Sequence, residues 1–386
     1  MSFNFLSTIG ALGWGVLGYV IPFLLVLTIV VFFHELGHFL VARLCGVRVL
    51  TFSIGFGPEL FGFNDRHGTR WKLSAVPLGG YVKFFGDENA ASVPDQQAVN
   101  AMTADERKVS FAHQSVGRRA AIVVAGPLAN FLLAIVIFTT LFMLYGKPNT
   151  SARVDIIRPD SPAAMAGFQP GDVVLAINGR PIESFSDMQR IVRVSGGETL
   201  DISVDRNGQR LTLKAVPTVE ETKDNFGNIQ RIGILGISRS IAQDEQRTEP
   251  VSVGTAVWLG IKETWTIVDT TMTYIGRIFI GRDSADQLGG PIMIAQVSGQ
   301  VATLGVAAFV HFVGLLSVSI GLLNLFPVPV LDGGHLLFFA FEFLRGRPLS
   351  ERAQEIGFRI GFVLVAALMI FAAKNDILRL WNLASS

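Results

Sequence analysis

Four apolar segments, each about as long as a membrane is thick, constrain the fold of this chain more than any other feature. They cover approximately residues 20–44, 120–144, 304–326 and 356–373. A helix needs roughly 20 apolar residues to cross the hydrocarbon core of a bilayer. Charged residues make up only 16% of the chain, whereas soluble domains carry about 25%. The sequence therefore predicts a polytopic α-helical membrane protein with about four transmembrane helices.

The third apolar segment continues beyond Phe326 to Leu344, but prolines and glycines interrupt it between Pro327 and Gly334. A run of about 40 residues is too long for one straight span. We therefore expect a broken helix, and non-helical backbone at membrane depth has to line a cavity within the protein.

Arginines lie near one end of every apolar segment, which sets the expected orientation in the membrane. Cytoplasmic loops carry an excess of basic residues, so this side is predicted to face the cytoplasm and the long insert after the second span to face the periplasm. The arginines are Arg43, Arg48, Arg118, Arg119, Arg345, Arg347 and Arg352. The N-terminus has no basic region of the kind found in signal peptides, so we expect the first span to be retained. A net charge of +1 gives no indication of a nucleic-acid partner.

The segment Val47–Phe85 has the composition of β-structure. Its two runs, LTFSIGFGPELFGF and WKLSAVPLGGYVKFF, are rich in aromatic and β-branched residues and flank the polar sequence NDRHGT. This pattern predicts one β-hairpin or two, with apolar faces that enter the membrane. A cytoplasmic subdomain is the alternative.

The insert changes to soluble character, with turn signals at Asn178-Gly179 and Asn207-Gly208. Its stretch SPAAMAGFQPGDVVLAINGRPI, residues 161–182, resembles a PDZ domain, which binds extended peptides or C-termini by strand addition. A small β-rich domain without a ligand is the alternative. Residues 251–298 are amphipathic and are expected to lie on the outer membrane surface, because Lys262, Glu263 and Asp269 disfavour a fifth span.

These observations divide the chain into seven consecutive parts. They are 1–46, the first span; 47–119, the β-hairpin region and a loop; 120–146, the second span; 147–240, the PDZ domain; 241–303, the juxtamembrane amphipathic segment; 304–345, the broken third span; and 346–386, the fourth span and tail.

The first span contains the sequence HELGH. His34 and His38 are four residues apart and therefore project from one face of a helix. This spacing allows both imidazoles to bind one Zn²⁺, with Glu35 as general base. Charged groups are costly within a bilayer, which favours a functional role for all three. The pattern predicts an intramembrane zinc site.

A catalytic zinc site needs a third protein ligand and leaves one position open for water. Asp332 is the preferred candidate, because it lies at the break in the third apolar segment and has a depth similar to that of His34. His34 is nine residues, or about 13 Å, from Arg43. His335 is the competing ligand, and His311 is expected to be structural.

The motifs taken together resemble those of the site-2 family of intramembrane zinc metalloproteases. They are HELGH in the first span, AGPLAN at 125–130, the PDZ-like insert and NLFPVPVLDGG at 324–334. The resemblance covers almost the whole chain and is strongest to the bacterial proteases that regulate sigma-E. Those proteases carry two PDZ domains in tandem, whereas this insert has room for one.

The resemblance implies a hydrolase of the bacterial inner membrane that uses zinc. It assigns the zinc to His34, His38 and Asp332 and general-base catalysis to Glu35. The residues it implies for substrate binding are Asn324, Pro327, Pro329, Gly79, Gly80 and Asn130. The implied substrates are single-pass membrane proteins, such as anti-sigma factors that another protease has already cut outside, and remnant signal peptides.

Two other functions remain open from the residues alone. The first is a non-catalytic PDZ scaffold with a structural metal, although structural zinc sites usually have four protein ligands. The second is a metal transporter, although a transport pathway would need several intramembrane carboxylates.

Overall fold

The computed structural model describes residues 3–87, 101–148, 151–223, 229–239, 248–281, 285 and 289–385. In this part of the chain, the helices are α1 (Phe3–Leu44), α2 (Ala104–Val109), α3 (Val116–Tyr145), α4 (Pro162–Met165), α5 (Phe185–Val194), α6 (Val253–Phe279), α7 (Pro291–Thr303), α8 (Val306–Asn324), α9 (Asp332–Arg345) and α10 (Glu351–Ser385). The longer strands are β1 (Val49–Asn64), β2 (Arg70–Phe84), β5 (Val173–Ile177), β7 (Leu200–Arg206), β8 (Gln209–Ala215), β9 (Thr218–Lys223) and β10 (Ile229–Ile234). Two-residue strands complete the numbering: β3 (Lys147–Pro148), β4 (Ile156–Ile157), β6 (Arg180–Pro181), β11 (Ile237–Ser238) and β12 (Thr248–Glu249).

The predicted apolar segments lie in helices that are long and apolar enough to cross a membrane. Among the described residues these stretches are Gly15–Leu44, Val116–Tyr145, Val306–Asn324 and Arg352–Trp381. The last helix extends well beyond the predicted 356–373 at both ends. The chain divides into two compact units, and the first contains residues 1–141, 254–275 and 288–378.

Small residues bring α1 and α3 into close contact in the first unit. A side chain at Gly37 would overlap the carbonyl oxygen of Ala125, and one at Gly126 would overlap the imidazole of His38. Without a Cβ at these positions the two backbones can cross closely. The AGPLAN motif therefore lies directly against the HELGH turns.

The third apolar segment is broken, as predicted. Helix α8 ends at Asn324 and α9 begins at Asp332, so residues 325–331 form the connection. Gly333 packs against the carbonyl oxygens of Leu325 and Phe326, and a side chain there would overlap both. The glycines that follow Asp332 thus fold the start of α9 back onto the connection.

Strands β1 and β2 form the predicted hairpin. The pair is curled, because Phe52 in β1 faces Val82 on one side and Trp71 on the other. Several of its apolar side chains are exposed: Phe56, Leu60, Phe61, Phe63 and Leu78. Their contact with lipid stays a prediction. The predicted loop after the hairpin contains the short helix α2, and residues 88–100 lie outside the described residues.

The segment between the insert and the third span differs from the single surface helix that was expected. It contains two helices, and both pack along predicted spans. Gly260 of α6 contacts Ile135 and Thr139 of α3, and Gly299 of α7 contacts Tyr19 of α1. Ile135 is ten residues, or about 15 Å, from the end of α3. Glycine at each crossing permits this approach, which a general amphipathic pattern does not reveal.

The second unit consists of residues 142–253, 276–287 and 379–386 and contains an antiparallel sheet with strand order β6-β5-β7-β8. Its core includes Val174, Ile177, Ile202 and Val204, all essentially inaccessible to solvent. The predicted turns are present, and Asn178, Gly179, Asn207 and Gly208 all have positive φ angles. Buried Asp172 forms a two-point ion pair with Arg206, with distances of 2.7 and 2.8 Å.

Candidate metal centre

Three side chains from two distant parts of the chain converge at one point. Nε2 of His34 lies 3.2 Å from Nε2 of His38. The carboxylate of Asp332 approaches both rings, with Oδ2 3.1 Å from Nε2 of His34 and Oδ1 3.5 Å from Nε2 of His38. Helix α1 supplies both histidines and the first turn of α9 supplies the acid. The structure therefore brings together the three predicted metal ligands.

These distances match the edges of a tetrahedral zinc site. Zinc bonds to nitrogen and carboxylate oxygen are about 2.0–2.2 Å long, which separates neighbouring ligand atoms by about 3.3 Å. Oδ2 of Asp332 is buried and finds no partner with hydrogen-bond geometry among the described residues. A cation would satisfy this orphaned oxygen. The donor set of two imidazoles and one carboxylate fits zinc and leaves a fourth position open.

Hydrogen bonds behind the rings favour the tautomer that metal binding requires. Nδ1 of His38 lies 2.9 Å from the carbonyl oxygen of Ile122, to which it donates, so Nε2 keeps its lone pair. Nδ1 of His34 lies 3.3 Å from the side-chain amide of Asn130. A protonated Nδ1 needs a hydrogen-bond acceptor, and the amide oxygen of Asn130 has no other partner in the part of the chain that the structure describes. This oxygen, rather than the amide nitrogen, therefore belongs opposite Nδ1 of His34. Ser317 donates to the backbone carbonyl of Asn130 at 2.8 Å and helps to fix that turn.

Glu35 lies beside the three ligands, in a cavity of about 220 Å³. The backbone N–H of Val82 in strand β2 donates to its carboxylate. The same cavity is lined by Gly80, Tyr81, Asn324 and His335. A carboxylate held by one strand N–H next to a metal site can accept and return a proton. The geometry is that of a general base and metal pair beside an extended strand.

Comparison with known proteins identifies the family. The sequence profile of Peptidase family M50 matches residues 22–368, a range that includes HELGH and Asp332. The chain is a member of peptidase family M50. It is therefore a zinc metalloprotease of the site-2 type, and the predictions of family, enzyme class and cofactor are confirmed.

Relatives of this M50 peptidase extend over nearly its whole length. One relative, from Agrobacterium fabrum, is named as an inferred zinc metalloprotease. It is 50% identical over 372 residues, which cover 96% of this chain and 99% of that one. The metalloprotease MmpA of Caulobacter vibrioides is 40% identical over 387 aligned positions, 95% of this chain and 96% of that one. Among solved structures, the PDZ domain of an SdrC-like protein from Listeria monocytogenes is 20% identical, covers 23% of this chain and 86% of that one, and has a TM-score of 0.19.

The residues expected to bind substrate occupy three different environments in this M50 peptidase. Asn324 and Gly80 line the cavity. Gly79 instead faces the ring of Phe56, where its φ of 132° and the lack of space exclude a side chain. Asn130 is fully buried behind His34. We correct the expectation for Asn130: its position suits orientation of a ligand rather than contact with substrate.

The two prolines also differ from expectation, since neither lines the cavity. Pro329 packs against Gly357 and Gly361 of α10. Pro327 is exposed. The side chains that the connection presents to the cavity are Val330 and Leu331. The prolines therefore shape this connection from outside the cavity.

His335, the competing ligand, lines the cavity but stands outside the ligand triangle. Its ring packs against Phe358 of α10 at 5.4 Å. His311 lies against Phe138 at 5.1 Å, a structural position as expected. The roles of Val82 and Ile122 cannot be read from the sequence, because both residues act through backbone atoms, which no residue type reveals.

Proposed function

We propose that this M50 peptidase hydrolyses transmembrane segments of single-pass membrane proteins within the bilayer. One observation carries the proposal: both histidines of the ligand triangle lie within α1, a helix long and apolar enough to cross a membrane, and Asp332 meets them there. His34 is ten residues, about 15 Å, from the end of α1, which is half the thickness of a hydrocarbon core of about 30 Å. A protease centre at that depth is placed for membrane-embedded peptide bonds.

The chain's own residues divide the chemistry between them. Zinc, when bound by His34, His38 and Asp332, supplies a Lewis acid that acidifies a water and polarises the scissile carbonyl. Glu35 removes the proton from the attacking water and later delivers it to the leaving amine. The N–H of Val82 keeps the Glu35 carboxylate aimed at the cavity. Asn324, which also lines the cavity, has an amide that can donate to the developing oxyanion.

Strand β2 is placed to stabilise a substrate segment that has unwound. A helical segment hides its carbonyl groups in i→i−4 hydrogen bonds, so it has to become extended before hydrolysis. Residues 80–84 of β2 run along the cavity beside Glu35. An extended substrate can pair with this stretch and regain hydrogen bonds that it lost on unwinding. We therefore expect helix-weakening residues to promote cleavage.

The wider setting is part of the same proposal. We place the protein in the bacterial inner membrane with the insert in the periplasm, because of the arginines near the span ends. We assign the insert to a single PDZ domain whose ligand is an extended peptide or a C-terminus. A cleft of about 180 Å³ between α5 and residues 232–237 supports this assignment, with Met188, Val192 and Ile234 among its walls. Anti-sigma factors already cut outside are the proposed substrates.

The test is cleavage of a single-pass reporter in liposomes by purified protein. Glu35→Gln should abolish cleavage but keep the zinc, since the amide cannot accept the proton. Glu355→Gln, an exposed glutamate of α10 paired with Arg359, is the matched control and should cleave normally. Activity that survives in Glu35→Gln would refute the proposed base. Wild type that digests soluble casein but leaves membrane segments intact would refute the intramembrane substrate.

A further inference from the structure

An open apolar groove lies in the first unit, away from the metal ligands. It has a volume of about 650 Å³. Three elements form it: the N-terminal half of the described α1, residues 75–78 in the middle of strand β2, and the first turns of α7. Its walls include Val20, Phe23, Val76, Leu78, Ile292 and Ala295, and Tyr19 and Gln296 carry its polar groups. Nothing in the catalytic chemistry uses this groove.

The groove and the catalytic cavity share two continuous walls. Strand β2 contributes Val76 and Leu78 to the groove and Gly80 and Val82 to the cavity. Helix α1 contributes residues 16–24 to the groove and His34 and Glu35 to the cavity. Between them, Gly80 lies in contact with Val31 and Glu35 of α1. A chain that leaves the groove along β2 therefore arrives at Glu35.

We propose that this groove binds the helical, still folded half of a substrate's transmembrane segment, while the following residues extend along β2 to the metal. This inference rests on the proposed function and names the form of its substrate. A lipid chain would fit the apolar walls, but the groove leads to a polar cavity with a base and three metal ligands. A peptide segment, unlike an acyl chain, has a bond to present there.

Helix geometry sets the expected spacing within the substrate. Phe23 is 11 residues from His34 along α1, or about 16 Å, and Val16 is 18 residues away, or about 27 Å. An extended chain advances about 3.3 Å per residue, so about five extended residues bridge the groove and the zinc ligands. The preferred substrate thus has a helical half with bulky apolar side chains, followed by a half rich in residues that disfavour helix. The cut is expected about five residues beyond the junction of the two halves.

Photo-cross-linking tests occupancy of the groove without requiring turnover. The probe is a single-pass reporter with a leucine-rich half followed by a glycine- and serine-rich half. A photoreactive side chain replaces Val76 or Ile292 in the Glu35→Gln protein. The control position is Val363 of α10, which is 65% exposed and is not among the groove-lining residues. We expect reporter adducts at both groove positions and few at Val363. Adducts only to lipid or to a second copy of the chain, or equal adducts at Val363, would overturn the proposal.

Cleavage supplies the second measurement. Ala295→Trp fills the groove, and Ala367→Trp places the same side chain on an exposed part of α10. Rates are compared on the membrane reporter and on a short soluble peptide of its glycine- and serine-rich half. Blocking the groove should lower the reporter-to-peptide rate ratio at least roughly tenfold, the effect expected when one large apolar side chain loses its burial. Ala367→Trp should keep the wild-type ratio.

The two proposals fail in different ways. Wild type that cuts neither probe contradicts the proposed function, and the adduct pattern still decides the occupant of the groove. The groove proposal alone is contradicted if wild type cuts both probes and if Ala295→Trp has normal zinc content and the same reporter-to-peptide rate ratio as wild type. Ile292→Trp, at a 40% exposed position of the same wall, repeats the test should Ala295→Trp fail to fold.

Discussion

The side-chain amide of Asn130 lies 3.3 Å from Nδ1 of His34, the ring nitrogen that points away from the metal site. This contact joins α3 to the zinc-binding face of α1. Partners behind a metal-binding imidazole fix its tautomer and orientation, and their loss typically lowers metal affinity about 10- to 100-fold. We therefore expect Asn130→Ala to weaken zinc binding by that factor, measured by competition with a chelator. Thr140→Ala, an exposed position on the same helix, is the control; equal affinities in the two variants would contradict this role.

Gly126 tests the close crossing of α1 and α3. A methyl group there would overlap Nε2 of His38, so Gly126→Ala should displace the ring and lose both zinc and cleavage. Gly117→Ala introduces the same change in the same helix, where no described residue comes within 4 Å of the added methyl group, and should keep both. Zinc content after gel filtration is the measurement. A fully loaded Gly126→Ala protein would show that the crossing is looser than described.

These contacts show where prediction from the sequence ends. HELGH places two imidazoles on one helix face through local spacing, and the prolines and glycines after Asn324 predict a break at Asp332. Local patterns are sufficient for such features. Asn130 meets His34 only because α1 and α3 cross at Gly37 and Gly126, and a crossing depends on three-dimensional packing. The family resemblance had instead implied a substrate-binding role for Asn130.

Asp376 supplies a second example of a long-range contact. Its carboxylate, in α10, accepts the N–H groups of Gly290, Ile292 and Met293 at 3.0, 3.1 and 3.2 Å and so caps the start of α7. Asp376→Ala leaves these donors unsatisfied and should lower the free energy of unfolding by about 1–3 kcal/mol. It should also speed amide exchange at the first turn of α7. Thermal unfolding in detergent with Lys374→Ala as control is the measurement, and unchanged exchange at α7 would refute the cap.

Asp65 in the hairpin turn gives a pH-dependent prediction. Burial alone would raise its pKa, but hydrogen bonds from Thr69, Trp71, His67 and Arg43 outweigh that effect and lower the pKa to about 2. A lowered pKa in the folded state stabilises the fold above the unfolded pKa of about 3.9. That stabilisation is lost as the pH falls through the folded pKa.

Pepsin, which works in acid, can measure this effect. We expect the wild-type hairpin to resist pepsin more than the Asp65→Asn hairpin near pH 4, and the difference to disappear as the pH approaches 2. Each variant is compared with itself at the two pH values, with cleavage of an unstructured peptide correcting for the activity of the protease. A difference that persists undiminished at pH 2 would contradict the assigned pKa shift.

The metal content of single-site variants tests the central claim most directly. Wild type, Asp332→Ala and His335→Ala are purified with equal exposure to zinc and analysed by mass spectrometry. We expect a single tightly held zinc in wild type and in His335→Ala, because His335 stands outside the ligand triangle. Asp332→Ala should lose this zinc. Stoichiometric zinc in Asp332→Ala, or its loss in His335→Ala alone, would contradict the assignment of these three ligands.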